Sequence, residues 1–132
     1  MVVDTSAIIA ILKEEPEAES FAHAMEDAPV VRVSAASYLE AHIVTASYRN
    51  PILIARLDSI LDHSAILIEP VTADHARIAR QAFRDYGRGS GHPANLNFGD
   101  CFSYALARAT REPLLFKGDD FRRTDLAPAV RD

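Results

Sequence analysis

The chain has 132 residues, 48% of them hydrophobic and 8% aromatic, which is enough apolar matter for one core and too little length for two, so residues 1–132 are expected to form a single domain. Its 14 Lys+Arg against 19 Asp+Glu leave a formal charge of −5, which taken alone argues against a nucleic-acid ligand, because phosphate affinity comes mainly from Lys and Arg. The lone Cys101 excludes an internal disulfide and a cysteine-built zinc site, and no apolar run approaches the ~20 residues of a bilayer span, so a soluble cytoplasmic protein with no membrane partner is expected.

Met1-Val2-Val3 reads as a short strand ending in Asp4, and Thr5-Ser6 opens a helix to about Leu12. A second helix, from about Glu17 to Asp27, sets Ala18, Phe21, Ala22 and Met25 on one face at spacings of three and four. Val30 to Ser34 is a predicted strand and Ala36 to Tyr48 a helix. Ile52 to His63 is another helix, with Ile52, Ala55, Ile60 and Leu61 as expected core positions. Ala65 to Ile68 is a continuous apolar run of strand length, followed by a helix from Thr72 to Tyr86 whose apolar face carries Ile78, Ala79, Ala82 and Phe83. All five glycines lie from Gly87 onward, so residues 87–98 form the one predicted loop long enough to carry function. A helix from Gly99 to about Thr110, a strand at Leu114-Leu115-Phe116 and a short terminal strand near Ala129-Val130 complete the chain. Apolar strands alternating with helices describe an α/β domain with a parallel sheet covered on both faces.

Ligands of such sheets bind beyond the carboxyl ends of the strands, which directs attention to acids placed there. Asp4 follows the first strand, Asp100 opens a helix after Asn97-Phe98-Gly99, Asp119 and Asp120 follow the strand ending at Phe116, and Glu40 lies in an otherwise apolar helical stretch. Each has an ordinary explanation as a helix cap, a turn residue or a solvated face. Brought together at one end of a sheet, however, three or four carboxylates repel one another and need a cation. With no His or Cys cluster among them, an oxygen-only site suits Mg²⁺ or Mn²⁺. The five histidines are scattered and lack zinc-ligand spacing. A phosphoacceptor receiver domain would need an Asp where Glu69-Pro70 ends the third strand, and a D-x-D phosphatase would need an acid where Ser6 stands.

The blocks Val2-Val3-Asp4-Thr5-Ser6-Ala7, Ser37-Tyr38-Leu39-Glu40, Leu96-Asn97-Phe98-Gly99-Asp100-Cys101-Phe102-Ser103-Tyr104-Ala105 and Leu114-Leu115-Phe116-Lys117-Gly118-Asp119-Asp120-Phe121 resemble the four conserved blocks of PIN domains, and more narrowly those of VapC toxins from bacterial toxin–antitoxin pairs. The resemblance spans essentially the whole chain. It implies a PIN fold, with a parallel sheet of about five strands flanked by helices, and Mg²⁺- or Mn²⁺-dependent endoribonuclease activity. Matched block by block, Asp4, Glu40 and Asp100 fall on the metal-binding acids and Asp120 on the fourth, with Asp119 adjacent as its alternative; Ser6 falls where a hydroxyl supports the first acid and is also a candidate substrate contact. It further implies an RNA substrate, a cognate VapB-type antitoxin and a homodimer. The alternative function is a non-catalytic PIN-like module that binds RNA or protein without cutting.

On this reading Arg84, Arg88 and His92, in or before the glycine-rich loop, and Lys117, Arg122 and Arg123, beside the last acid block, are candidate phosphate contacts, and Tyr86 is either a base-stacking or a core residue. Ile8, Ile9, Ile11 and Leu12 give the first helix more apolar surface than one core contact uses, as either a partner surface or a fully buried helix. Six acids and no Lys or Arg lie between Glu14 and Val31. With these and the four site acids set aside, nine acids face all 14 Lys+Arg. The charge partition therefore fits a nuclease, provided the acidic stretch lies away from the catalytic groove.

Overall fold

The computed structural model describes residues 1–63 and 65–131. In chain order it runs β1 (Val2–Val3), α1 (Thr5–Leu12), α2 (Ala18–Asp27), β2 (Arg32–Ser34), α3 (Ala35–Ser47), α4 (Pro51–His63), β3 (Leu67–Glu69), α5 (Ala73–Tyr86), α6 (Phe98–Thr110), β4 (Leu114–Leu115) and one 3₁₀ turn at Phe121–Arg123. The four strands form one sheet in the order β3-β2-β1-β4, and every pairing is parallel, with Val2 opposite both Arg32 and Leu114.

The period-2 alternation of a strand divides the core into two. Val3 and Leu115 face one apolar cluster with Ile8 and Leu12 of α1, Phe21 and Met25 of α2, Ala41 of α3, and Leu57 and Leu61 of α4. Val2 and Leu114 face the other, with Ala82 of α5, Leu96, and Tyr104 and Leu106 of α6. The parallel α/β class follows directly from this layering.

Four details differ from the sequence expectation. The terminal segment contributes a single bridge, Leu114 to Pro128, rather than a strand; its two hydrogen bonds run from the Leu114 N–H to the Ala127 carbonyl and from the Ala129 N–H to the Leu114 carbonyl. In α4, Leu57 and Leu61 are buried, whereas Ile52 and Ala55 are exposed; the buried stripe is the i, i+4 pair. Leu67 and Ile68 of β3 are about half exposed, because β3 is an edge strand with β2 as its one neighbour. On α5, Ala82 is buried and Phe83 is substantially exposed. Of the apolar α1 residues, Ile8 and Leu12 are fully buried and Ile9 and Ile11 partly so. No helix among the described residues is long and apolar enough to cross a membrane.

Candidate active site

The carboxyl ends of β1, β2 and β4 deliver three chain segments to one end of the sheet, and the N-terminus of α6 supplies a fourth. Asp4 leaves β1 in extended conformation and caps α1, its Oδ2 accepting the Ser6 backbone N–H at 3.0 Å. Its Oδ1 accepts the Ser103 hydroxyl of α6 at 2.5 Å. Ser103 Oγ lies 3.1 Å from Ser37 Oγ on α3, and the Thr5 hydroxyl donates to the Ser37 carbonyl. Asp4, Ser37 and Ser103 are all buried, so each carboxylate oxygen of Asp4 is desolvated and hydrogen-bonded.

Asp100 occupies the third position of α6 in a reciprocal cap. Asn97 Oδ1 accepts the Asp100 N–H, and Asp100 Oδ2 accepts the Asn97 N–H, each at 2.9 Å. Burial raises the Asp100 carboxyl to about 6; the Asn97 hydrogen bond opposes the rise, and the fields of Asp4, Asp120 and Glu40 add to it. The charges of Asp4, Asp120 and Glu40 thus all reach Asp100. Glu40 reaches this cluster because α6 carries glycine where the helices meet: a Cβ on Gly99 would stand 2.2 Å from Glu40 Oε2. Asp120 is exposed and precedes the 3₁₀ turn, which is anchored by buried Phe121 packed on Phe116 with ring centroids 5.3 Å apart. Asp119 is exposed beside it.

The donors are carboxylate oxygens throughout, the set a hard cation prefers. Among the described residues, no three Asp, Glu, His or Cys side chains are placed to enclose a metal by themselves. Such a set suits an ion that keeps several of its waters and takes one or two carboxylates directly, as Mg²⁺ does.

The residues expected to contact substrate have mixed placements. Ser6 Oγ accepts the Lys117 backbone N–H at 3.0 Å and so ties α1 to the segment after β4. Lys117 Nζ is ion-paired with Glu15 and, at 3.4 Å, with Glu17. The acidic stretch therefore does not lie wholly apart from the site, and the condition attached to the charge partition fails at these two residues. Arg84, in the last turn of α5, and Arg88 are exposed. The glycine-rich loop is an ordered structure closed by a Gly87–Leu96 bridge, and Arg123 donates to its Pro93 carbonyl at 3.4 Å. His92 and Tyr86 stack edge to face at 4.9 Å within it, and Tyr86 also packs on Tyr104, which makes Tyr86 a core residue.

Sequence reasoning chose Ser6 as the supporting hydroxyl and passed over Ser103, Ser37, Asn97 and Gly99. A signal was available for the two serines. Ser103 lies three residues after Asp100 and Ser37 three before Glu40, spacings that put each hydroxyl on the same helix face as an acid.

Residues 1–126 match the family model described as PIN domain. The chain is 55% identical over 130 residues to Ribonuclease VapC28 of Mycobacterium tuberculosis, covering 98% of each sequence. Among solved structures it resembles Mycobacterium tuberculosis VapC20, a Sarcin-Ricin loop cleaving toxin, with a TM-score of 0.75, 20% identity and coverage of 99% and 98% of the two chains. It also resembles a chain of a toxin-antitoxin complex from Klebsiella pneumoniae, with a TM-score of 0.68, 20% identity and coverage of 91% and 88%. At 20% identity these two likenesses establish the fold.

Proposed function

Since this chain belongs to the PIN domain family and, within it, to the VapC ribonucleases, we propose that it is a divalent-cation-dependent endoribonuclease, the toxin of a toxin–antitoxin pair. The observation that carries the reading is the gathering of Asp4, Asp120 and Glu40 around Asp100, whose carboxyl, raised to about 6 chiefly by burial, is raised further by the charge of all three. Mg²⁺, or Mn²⁺ in its place, is the cation we assign, held by Asp4 and Asp100. When bound it supplies a more acidic water and stabilises charge developing on the phosphate.

The chain's own residues divide the remaining work. The Ser37–Ser103 hydroxyl pair and the Ser6 N–H hold the Asp4 carboxylate in one orientation. The Asn97 cap does the same for Asp100. Glu40, half-buried against Gly99, accepts the proton of the attacking water, and the more exposed Asp120 completes the acidic rim. Arg84 and Arg88 are exposed cations available to the RNA backbone, while Lys117 is held by Glu15 and Glu17.

A cognate antitoxin is the protein partner we assign. An apolar groove lined by Ile11, Met25, Val31 and Ile60 is open to it and uses the second apolar face of α1. A homodimer remains part of the same proposal. The decisive experiment incubates the purified protein with structured RNA, with and without Mg²⁺ and then with excess EDTA. Cleavage that needs the cation and vanishes in Asp4→Asn, with folding retained, is expected. A non-catalytic binding module would give no metal-dependent products, and full cleavage by Asp4→Asn would overturn the assignment.

A further inference from the structure

Phe98 is the most exposed large apolar side chain of the described residues, at 78%. It opens α6, a helix whose following turns bury Cys101, Tyr104, Ala105 and Leu106. The next residue is Gly99, against which Glu40 rests, and the one after is Asp100. The ring is not loose: it meets Phe102 edge to face, with centroids 4.9 Å apart and planes at 88°. A restrained aromatic ring, left in water at the helix end that carries a catalytic acid, is a ready surface for a flat apolar group.

Charge decides which group. The proposed divalent cation serves the reacting phosphate alone, and the lysine in the last acid block, Lys117, is ion-paired with Glu15 and Glu17 instead of standing free for a neighbouring phosphate. Backbone attraction is therefore weak beside the acids, and an uncharged grip is needed to hold a strand there. Stacking on an unpaired base is indifferent to the sign of the local field and tolerant of sequence. Tyr86, the other aromatic considered for this role, is already packed between His92 and Tyr104.

We propose that Phe98 is a base-stacking subsite, taking an unstacked nucleobase of single-stranded RNA next to the phosphodiester to be cut; this rests on the ribonuclease reading above. The chain contains no tryptophan, so Phe98→Trp places one fluorophore of that kind at the subsite. In an Asp4→Asn background, the protein is titrated with a short mixed-sequence single-stranded oligoribonucleotide and with an abasic ribose-phosphate oligomer of equal length. The base-containing oligomer is expected to quench the indole emission and the abasic one to leave it unchanged. Replacement by Phe98→Ala is expected to weaken oligoribonucleotide binding roughly tenfold, read by anisotropy of a labelled oligomer. Binding without quenching, equal quenching by the abasic oligomer, or unchanged affinity of Phe98→Ala overturns the subsite and leaves the ribonuclease reading standing. A concentration-dependent blue shift of the indole emission without RNA also overturns it, by giving the ring to a second copy of the chain. Absence of binding to either oligomer also overturns the subsite, while the ribonuclease reading stands or falls separately on the metal-dependent cleavage of structured RNA.

Discussion

One carboxylate, Asp4, caps α1 and in the proposed function is also a site acid, so the ordinary explanation of this residue does not compete with the functional one. Its burial is tolerable because Ser103 and the Ser6 N–H satisfy both oxygens. Ser103→Ala strands Oδ1 without its donor, and a loss of about 1–3 kcal/mol of stability is expected in denaturant unfolding. Cleavage should fall with it, and the divalent-cation concentration giving half-maximal rate should rise, a change that loss of packing alone would not produce. Asp100 gives a second prediction. Its folded pKa, about 6, lies above the ordinary carboxylate value, so the folded state binds this proton more tightly than the unfolded chain does. The group's unfavourable contribution is absent below the ordinary carboxylate pKa and complete above about 6. Cation-free protein should therefore lose stability as pH rises through that window, and Asp100→Asn should flatten the loss. Melting curves in chelator across the window test it, and an unchanged slope in the variant would contradict the burial argument.

At the scale of elements, the site depends on how closely α3 and α6 approach. Glycine at position 99 is required by the Glu40 carboxylate rather than by its own backbone, since Gly99 is not among the glycines with positive φ. Gly99→Ala should fold, because alanine favours a helix, yet it must displace Glu40. A drop in cleavage of at least tenfold is expected with little change in melting temperature, measured on the same preparation. On the opposite flank, the Lys117 pairs with Glu15 and Glu17 and the Ser6–Lys117 hydrogen bond fasten the α1–α2 connection to the segment bearing Asp120. These ion pairs are partly exposed, so their part lies in holding the segment's position more than in stability.

For the whole molecule, a charge of −5 is compatible with an RNA substrate if few phosphates are neutralised on binding. Because Lys117 is engaged and the proposed phosphate contacts are the exposed Arg84 and Arg88, the logarithm of oligoribonucleotide affinity should fall only shallowly with the logarithm of monovalent salt. A slope of about −1 to −2 is expected, given roughly −0.7 per phosphate contact on single strands. Titrations over a range of salt concentrations read it directly, and a much steeper slope would require a cationic surface beyond Arg84 and Arg88.

The α/β class and the parallel sheet are legible in the chain itself, as is the candidacy of the four acids, because strand length, helical periodicity and the position of an acid after an apolar run are local properties. The resemblance of four ordered blocks adds the family for the same reason: order and spacing are written along the chain. Contacts between distant segments are not. Ser103 and Asp4 are 99 positions apart, and Lys117 and Glu15 are 102 apart, so neither the hydroxyl that orients the first acid nor the carboxylates that occupy the lysine can be found by reading neighbours. Tertiary packing likewise decided that Leu57 rather than Ile52 is buried, that Tyr86 belongs to the core, and that the ring of Phe98 stands in water beside the acids. Sequence determined the fold class and the family; the fold decided which of the candidate groups are buried, paired or left in water, because burial and charge neutralisation are properties of what lies alongside in space.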